Sequence, residues 1–371
     1  MTKQETYFTQ LDGIRFIAVG LVLIDHWLAE KNVLPLGHLG VTMFFVLSGF
    51  LITRILIQSK LRDDNTGRSH WFSVKQFIIR RSIRIFPIYF LAVFVLYALN
   101  VPPVRETILW CLTYSTNIYI ATKQHWMGTI DHLWSLAVEE QYYLIFPYLI
   151  LFLPIRHYLK VLLVMILLSI TLRMYFYFQD TEWMVQYVLM PTCLDCFGLG
   201  GLMAYFFTFK RDTIFEQLNK SMFLFLSFVV LILTFYLTRQ TQIASGQTHN
   251  FGNLVIERFI GSVFCFFLII RAVSGYSGVM KWFLENSIVS YFGRISYGLY
   301  LYHNFIYNFF HTPQTSIVLR GLHKIQIITP SITQNNVFEL FYFFGITVFV
   351  ATLSWFLIEK PVNNLKKYFT Y

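Results

Sequence analysis

The feature that most constrains this chain is a series of ten long apolar segments joined by polar loops. A helix rises 1.5 Å per residue, so about 20 mostly apolar residues are needed to cross a bilayer. Only 13% of the 371 residues are charged and 56% are hydrophobic, which excludes a disordered chain, a disulfide scaffold and an ordinary cytosolic enzyme. The sequence predicts an all-α integral membrane protein, a single-domain bundle of about ten transmembrane helices. The predicted spans are 13–30, 38–57, 82–99, 133–153, 158–177, 187–207, 221–238, 254–272, 288–310 and 337–358.

The distribution of Lys and Arg predicts the orientation of this bundle. With ten spans, seventeen of these residues fall on the side of the termini and seven on the other, so both termini are predicted to be cytoplasmic. A further candidate, Thr107 to Ala121, is short and interrupted by polar residues, and we interpret it as a loop helix or re-entrant segment. If this segment crossed the membrane, the excess of Lys and Arg on one side would largely disappear. The net charge of +10 is then explained by topology and membrane lipid, without nucleic acid as a partner. The first apolar run is interpreted as a retained span because no small-residue cleavage site follows it.

The four cysteines give little information about function. Cys193 and Cys196 have the CxxC spacing of redox and metal sites, but no second Cys or His pair completes a ligand set. We expect small residues packed in a helix and predict no metal site.

Two ionisable residues share one face of the first span. Arg15 and His26 are eleven residues apart, which is three turns plus about 20° on a helix, and about 16 Å along its axis. Charged residues inside a span are expensive and are functional candidates by default. Taken singly, Arg15 could instead snorkel to the interface, and His26 could be a histidine satisfied within the bundle. Arg15 near the cytoplasmic end is suited to hold an anion.

A basic cluster introduces the third span. Arg80 and Arg81 precede Arg84 by four and three residues, so the three guanidinium groups can converge on one patch. Guanidinium binds two phosphate oxygens at once, which favours an anionic ligand. A positive-inside anchor explains Arg80 equally well, but explains Arg84 less well because it lies inside the span.

The fourth span begins with an unusual run of polar residues. Ser135, Glu139 and Tyr142 are spaced i, i+4, i+7 and are expected to share a face, with Glu140 on an adjacent strip. Two consecutive carboxylates in a bilayer helix need basic partners or a polar cavity. This favours a functional role over a structural one.

Several motifs, in order along residues 11–361, resemble the membrane acyltransferase-3 family, whose members O-acetylate bacterial surface glycans. They are Leu11–Arg15 with His26, Gly40–Ile52, Arg81-x-x-Arg84, the Ser-x-x-x-Glu-x-x-Tyr run of Ser135, Glu139 and Tyr142, Arg294–His303, and Glu359–Pro361. The resemblance is to the form of the family without an esterase-like extension.

The resemblance implies an acyltransferase in the bacterial cytoplasmic membrane. Its donor would be cytoplasmic acetyl-CoA or another acyl-CoA, used as a substrate and not as a permanently bound cofactor. Its acceptor would be a hydroxyl of a cell-envelope or exported glycan, such as lipopolysaccharide or another polysaccharide, or of its lipid-linked precursor. The donor would bind at Arg15, Arg81 and Arg84, which lie towards the cytoplasmic ends of their spans.

The remaining polar residues receive roles from the chemistry of acyl transfer. A sugar hydroxyl is a poor nucleophile near neutral pH, and His26 is the expected general base. Glu139 or Glu140 is expected to orient the imidazole or bind the acceptor. Ser135 or Tyr142 is expected to donate a hydrogen bond to the thioester oxyanion.

Two other classes of protein stay open from the residues alone. A transporter or flippase would use the same buried charges without covalent chemistry, and a structural protein would tolerate their substitution. Association with further copies of the chain is also compatible with the sequence. The enzyme hypothesis expects Arg15 and His26 to line one continuous cavity.

Overall fold

The computed structural model describes residues 7–28, 34–311, 324, 327 and 336–370, and every regular element within these ranges is helical. A helix satisfies its own backbone hydrogen bonds, which a segment surrounded by lipid must do. The main helices are α1 (Thr9–Leu28), α2 (Leu36–Thr66), α3 (His70–Ala98), α4 (Leu133–Phe152), α5 (Tyr158–Phe178), α6 (Leu194–Phe209), α7 (Ser221–Ser245), α8 (Glu257–Ser274), α9 (Ser287–Arg294), α10 (Ser296–His311) and α11 (Asn336–Ser354).

Every predicted span overlaps one of these helices, although residues 29–30 of the first span lie outside the described part of the chain. Six helical segments are long and apolar enough to cross a membrane: Leu36–Thr66, Ile155–Phe178, Met190–Phe209, Ser221–Ser245, Gly252–Ser274 and Val337–Tyr368. The protein therefore has the character of a multi-pass membrane protein. Ten crossings and cytoplasmic termini stay predictions.

Two predicted spans are not single helices. The span over 187–207 begins in a separate short helix, Trp183–Val188, and the chain turns through Met190–Cys193 before α6 starts. Pro191 lies in that turn and has no N–H group with which to continue a helix. The span over 288–310 is divided at Ile295, whose backbone leaves helical geometry (φ −90°, ψ 9°) between α9 and α10.

Residues 58–81, which connect the second and third predicted spans, are also mostly helical. α2 continues to Thr66 and α3 begins at His70, so only three residues connect them. Gly67 caps the end of α2 with a φ of 66°, a backbone conformation that is strained for residues with a side chain. The Ser69 hydroxyl accepts a hydrogen bond from the Trp71 N–H group and caps α3.

The polar segment after α3 confirms the interpretation that it does not form a spanning helix. It contains two short helices, Ile108–Leu112 and Thr116–Lys123, and at 1.5 Å per residue neither is longer than about 12 Å. The amide of Gln141 on α4 donates to the side-chain oxygen of Asn117 (2.8 Å) and to the carbonyl of Tyr114 (2.9 Å). These bonds hold the segment against the middle of α4.

α2 is the central helix, and its closest neighbour is α6. A Cβ atom added to Gly200 would lie 2.2 Å from the carbonyl oxygen of Val46, and one added to Gly49 would lie 2.4 Å from that of Phe197. The two backbones are therefore in direct contact, as small residues permit between membrane helices. This close approach fixes the distance between α2 and α6.

A buried ion pair joins α5 to α6. The Arg173 guanidinium lies 2.6 Å from the Asp195 carboxylate, with 1% and 0% of the two side chains exposed. Ser169 and the carbonyl of Thr192 add further hydrogen bonds to these groups, while Arg173 Nε has no partner among the described residues. Such hydrogen bonds offset part of the cost of burying two charges. The CxxC residues next to it, Cys193 and Cys196, are free and buried.

Candidate active site

Two histidines from distant parts of the sequence are in direct hydrogen-bond contact. His26 Nδ1, on α1, lies 2.7 Å from His303 Nε2, on α10, and the two rings are stacked with centroids 4.9 Å apart. His303 Nδ1 lies 2.6 Å from the carbonyl oxygen of Tyr300. A carbonyl oxygen only accepts hydrogen bonds, so His303 Nδ1 carries the proton and its Nε2 accepts from His26 Nδ1–H. His26 Nε2 is then left with a free lone pair.

His132, at the start of α4, is a third imidazole in this cluster. Its ring centroid is 5.1 Å from that of His303, and its Nε2 lies 3.0 Å from the carbonyl oxygen of Leu301. By the same argument the proton is on Nε2. His132 Nδ1 is buried and has no hydrogen-bond partner among the described residues. α10 therefore fixes the tautomers of two histidines through two consecutive carbonyl groups.

His26 and His132 line a cavity of about 520 Å³, which we call the histidine cavity. Two further histidines, three carboxylates and several aromatic rings surround it. The lining side chains used below are Asp25, His26, His38, Trp126, Asp131, His132, Trp134, Trp183, Tyr187, His249 and Glu257.

Arg15 lines a second, smaller cavity of about 100 Å³, the arginine cavity, together with Arg81 and Arg84. The third-span arginines are thus brought beside the first helix, as expected for an anion site. Arg15 is also paired with Asp12, 2.5 Å away. Arg80 is directed elsewhere, because it donates to the carbonyl oxygens of Lys366 (3.0 Å) and Phe369 (2.8 Å) in the C-terminal segment.

Glu139 belongs to the arginine cavity. The Ser48 hydroxyl donates to Glu139 Oε1 over 2.6 Å, and the Tyr143 hydroxyl donates to Ser48 over 3.0 Å. The guanidinium carbon of Arg81 lies 5.6 Å from the centre of the Tyr143 ring. Glu139 lines the cavity and Asp12 pairs with one of its arginines, so two carboxyl groups oppose three guanidinium groups there. The guanidinium groups outnumber the carboxyl groups by one, which favours an anionic ligand.

The expectation of one continuous cavity is wrong. The two cavities are separated by Tyr300 and Ser135, whose hydroxyl oxygens lie 2.6 Å apart. The Tyr300 hydroxyl is also 3.2 Å from the carbonyl oxygen of His132, and the Tyr300 and His132 rings lie 5.7 Å apart. Tyr300 and Ser135 line the arginine cavity, and His132, which packs against Tyr300, lines the histidine cavity.

Glu139 and Glu140, which were expected to orient His26, do not lie beside it. Glu139 is bonded to Ser48, and Glu140 lines a separate pocket with Gln141. The partner of the His26 imidazole is instead His303, which ends the Arg294–His303 motif but has no role assigned to it by the sequence. Its contact with His26 spans 277 positions, so no local spacing could have indicated it.

Tyr142 lies outside both cavities. Its ring is 2% exposed and stacks on Phe197 at 4.1 Å and on Phe146 at 4.5 Å. Tyr143 lines the arginine cavity in its place. The face of α4 that lines the arginine cavity therefore carries Ser135, Glu139 and Tyr143, spaced i, i+4, i+8. Residues four apart on a helix are rotated by only about 40° from one another.

The fold and the two cavities define a class of protein: a polytopic helical protein with a cationic pocket and a histidine pocket joined by one helix. Residues 8–359 match the acyltransferase-3 family, described as an acyltransferase domain. The chain belongs to this family.

Curated relatives of the chain are named as O-acetyltransferases. The chain is 30% identical to a Staphylococcus aureus (strain COL) protein named "Putative O-acetyltransferase SACOL0978", over 98% of this chain and 58% of that protein. It is 27% identical to "O-acetyltransferase OatA" of Staphylococcus aureus (strain NCTC 8325 / PS 47), over 96% of this chain and 57% of the relative. The chain thus spans little more than half the length of these relatives. No solved structure matches it.

Proposed function

We propose that this protein is a membrane O-acyltransferase that moves an acetyl group from cytoplasmic acetyl-CoA to a hydroxyl of a cell-envelope or exported glycan. The site would lie in the bacterial cytoplasmic membrane, with donor and acceptor entering from opposite sides. Family membership and the names of the relatives support an O-acetyltransferase. The observation that carries the proposal is the hydrogen-bonded chain from the Tyr300 carbonyl through His303 to His26.

This chain supports the role of His26 as general base. A base must present a lone pair to the proton that it removes, and the tautomer imposed by His303 leaves that lone pair on His26 Nε2. The imidazole is also held in one orientation by the stacked His303 ring. Orientation of a catalytic imidazole by a hydrogen-bonded partner is the arrangement found in catalytic triads.

The arginine cavity supports binding of the donor. Coenzyme A carries several phosphate charges, and guanidinium groups bind phosphate oxygens in pairs. Arg15, Arg81 and Arg84 surround a cavity that is too small for the whole nucleotide, at about 100 Å³. We therefore assign the phosphates to the mouth formed by the arginines and the thioester arm to the interior near Ser135 and Tyr300.

The reaction is a direct transfer with one proton relay. His26 Nε2 takes the proton of the acceptor hydroxyl while its oxygen attacks the thioester carbonyl carbon. The C–S bond then breaks, an ester forms, and the imidazolium returns the proton to the departing thiolate. The hydroxyls of Ser135 and Tyr300 are placed to donate to the carbonyl oxygen, provided that their mutual bond opens as the acyl group passes.

The proposal is tested with the purified protein in lipid nanodiscs, radiolabelled acetyl-CoA and an extract of envelope glycans. His26→Ala is expected to abolish labelling of glycan while donor binding stays within about twofold of wild type. Arg84→Ala is expected to weaken donor binding about tenfold or more, because it removes a bidentate phosphate partner. His157→Ala and Arg156→Ala are matched controls, since neither residue lines either cavity.

Wild-type labelling by the His26 variant would remove His26 from the mechanism. Movement of a glycan across the membrane without incorporation of label would favour a transporter instead. Mass spectrometry of envelope glycans from cells with and without the protein identifies the acceptor as the sugar whose mass loses one acetyl group.

A further inference from the structure

The histidine cavity has an uneven charge distribution. Asp25, Asp131 and Glu257 contribute carboxyl groups to its lining, and among the described residues no Lys or Arg side chain lines it. Arg258 lies near the cavity but does not line it. Its guanidinium group donates to the Tyr187 carbonyl oxygen (2.9 Å) and to Cys193 Sγ (3.0 Å). A phosphate or carboxylate entering this cavity would meet like charge and no cationic partner.

The unpaired polar atoms of the cavity are hydrogen-bond acceptors. His132 is 1% exposed, and its Nδ1 atom carries a lone pair without a partner in the described part of the chain. Asp131 Oδ1 is likewise buried and unpaired there. His26 Nε2 is a third acceptor by the tautomer argument above. A buried acceptor without a donor costs free energy, so a ligand of this cavity must bring several donors.

His38 places a donor among these acceptors, beside the indole N–H groups of Trp126, Trp134 and Trp183, which also line the cavity. Arg258 Nε donates to His38 Nε2 over 3.1 Å, so in the neutral ring the proton is on His38 Nδ1. His38 lines the same cavity. A ligand with many hydroxyl groups and a few ether oxygens matches this set, whereas a carboxylate or phosphate group only accepts.

Aromatic rings form one wall of the cavity. The ring centroid of Trp183 lies 5.9 Å from that of Trp126 and 5.8 Å from that of Tyr187. The Trp183 ring also stacks on the His249 ring, with centroids 4.3 Å apart. Rings of this kind present broad apolar faces together with polar edges, which suits a ligand that is apolar on one face and polar around its rim. A pyranose ring has this shape.

We infer that the histidine cavity binds an uncharged sugar residue through its hydroxyl groups and excludes glycans that carry a carboxylate or phosphate on the bound sugar. This inference rests on the proposed function, whose acceptor class it narrows. The carboxyl groups and the acceptor nitrogens set the selectivity, and Trp183 provides a stacking surface.

Binding without donor tests the inference separately from catalysis. Neutral tetrasaccharides of glucose, galactose and mannose are titrated into the nanodisc protein and compared with matched uronides, in which C6 is a carboxylate. The titrations are made at about pH 8.5, because burial raises the pKa of Asp131 to about 7 and its carboxyl group must be ionised to repel a uronide. At least one neutral sugar is expected to bind about tenfold or more tightly than its uronide, because of the like charge in the cavity. Trp183→Ala is expected to weaken binding of the neutral sugar about tenfold through loss of the stacking surface.

The double variant Asp131→Asn, Glu257→Gln isolates the charge effect, because both side chains keep their size. Its preference for the neutral sugar is expected to fall to about threefold or less. Glu106→Gln removes an exposed carboxylate that does not line the cavity and should leave the preference unchanged. Equal binding, tighter binding of the uronides, or no binding of any neutral sugar overturns the inference.

Acyl transfer distinguishes failure of this inference from failure of the proposed function. If acetyl label reaches uronides as efficiently as neutral sugars, the inference fails while the acyltransferase stands. If no sugar is labelled but the neutral preference and its loss in the double variant are both observed, the proposed acyltransferase fails while the sugar site stands.

Discussion

At the residue scale, a backbone carbonyl group determines which nitrogen of His26 is available for chemistry. The Tyr300 carbonyl requires a proton on His303 Nδ1, and His303 Nε2 in turn requires one on His26 Nδ1. His303 is therefore a positioning residue: it lines neither cavity, but it sets the tautomer of His26, which lines the histidine cavity.

His303→Ala is therefore expected to lower kcat about 10- to 100-fold, the usual effect of removing such a partner, without changing KM for the acyl donor. His303→Gln is expected to recover part of the loss, because its side-chain oxygen can accept from His26 Nδ1–H. Steady-state kinetics over several pH values checks both variants. Tyr302→Phe is the control for packing, since Tyr302 bonds to Ser354 on α11. Unchanged kcat in His303→Ala would contradict this role.

Asp131 makes a separate prediction about stability. Burial raises the pKa of Asp131 from 3.8 to about 7, although backbone bonds from Met127 and Gly128 and the nearby His125 act in the opposite direction. A raised pKa in the folded state means that folding favours the protonated carboxyl. The contribution of Asp131 to stability is thus complete below about pH 4 and is lost as the pH rises to about 7.

Asp131→Asn removes this pH dependence, since its amide cannot ionise. Its unfolding temperature relative to wild type is expected to rise between pH 4 and pH 7 and then level off. A rise in the pKa from 3.8 to about 7 corresponds to about 4 kcal/mol of free energy of unfolding as an upper bound. Thermal unfolding in detergent at four pH values measures the difference. Glu106→Gln, which removes an exposed carboxylate, is the control for loss of a negative charge elsewhere in the chain. A difference for Asp131→Asn that does not change with pH would refute the assignment.

At the element scale, the contact between α2 and α6 depends on glycine. Gly200→Ala would place a methyl group 2.2 Å from a backbone oxygen of α2, so the helices must separate. We expect a loss of about 1–3 kcal/mol, seen as a lower unfolding temperature in detergent. Gly20→Ala on α1 is the matched control because no atom lies within 4 Å of its added Cβ. There the greater helix propensity of Ala should leave stability equal or slightly higher. Equal effects of the two substitutions would contradict the close approach.

The helices themselves could largely be predicted from the sequence, because lipid requires long apolar segments and every predicted span overlaps a helix. The interruptions could not be placed as well. Pro191 indicates a break, but Ile295 is an ordinary apolar residue whose departure from helical geometry depends on the packing of α9 and α10. The choice of Tyr143 over Tyr142 was missed because the aromatic stack on Phe197 comes from α6, which the spacing within α4 does not reveal.

At the scale of the whole molecule, the arginine cluster could be predicted and the histidine cluster could not. Arg81 and Arg84 lie on one helix face, so their convergence follows from local geometry, and their meeting with Arg15 needs only one helix contact. His26, His132 and His303 meet through three helices that are distant in the sequence. Their arrangement depends on how the whole bundle packs, as does the Tyr300–Ser135 barrier between the two cavities.

The orientation of the bundle gives the last prediction. The four native cysteines are buried, so a membrane-impermeant maleimide should label wild type weakly, and single exposed cysteines can be introduced by Asn65→Cys, Lys123→Cys and Lys367→Cys. If the Lys and Arg bias sets the topology, Lys123→Cys is labelled in intact cells and the other two only after permeabilisation. If Lys367→Cys is labelled in intact cells while Asn65→Cys is not, the chain crosses the membrane an odd number of times between residues 65 and 367. The direction of α1 is reported by Asn65→Cys, because Asn65 lies at the end of α2, which follows α1 directly. Labelling of Asn65→Cys in intact cells would reverse α1, and Arg15 would then lie on the side away from a cytoplasmic donor.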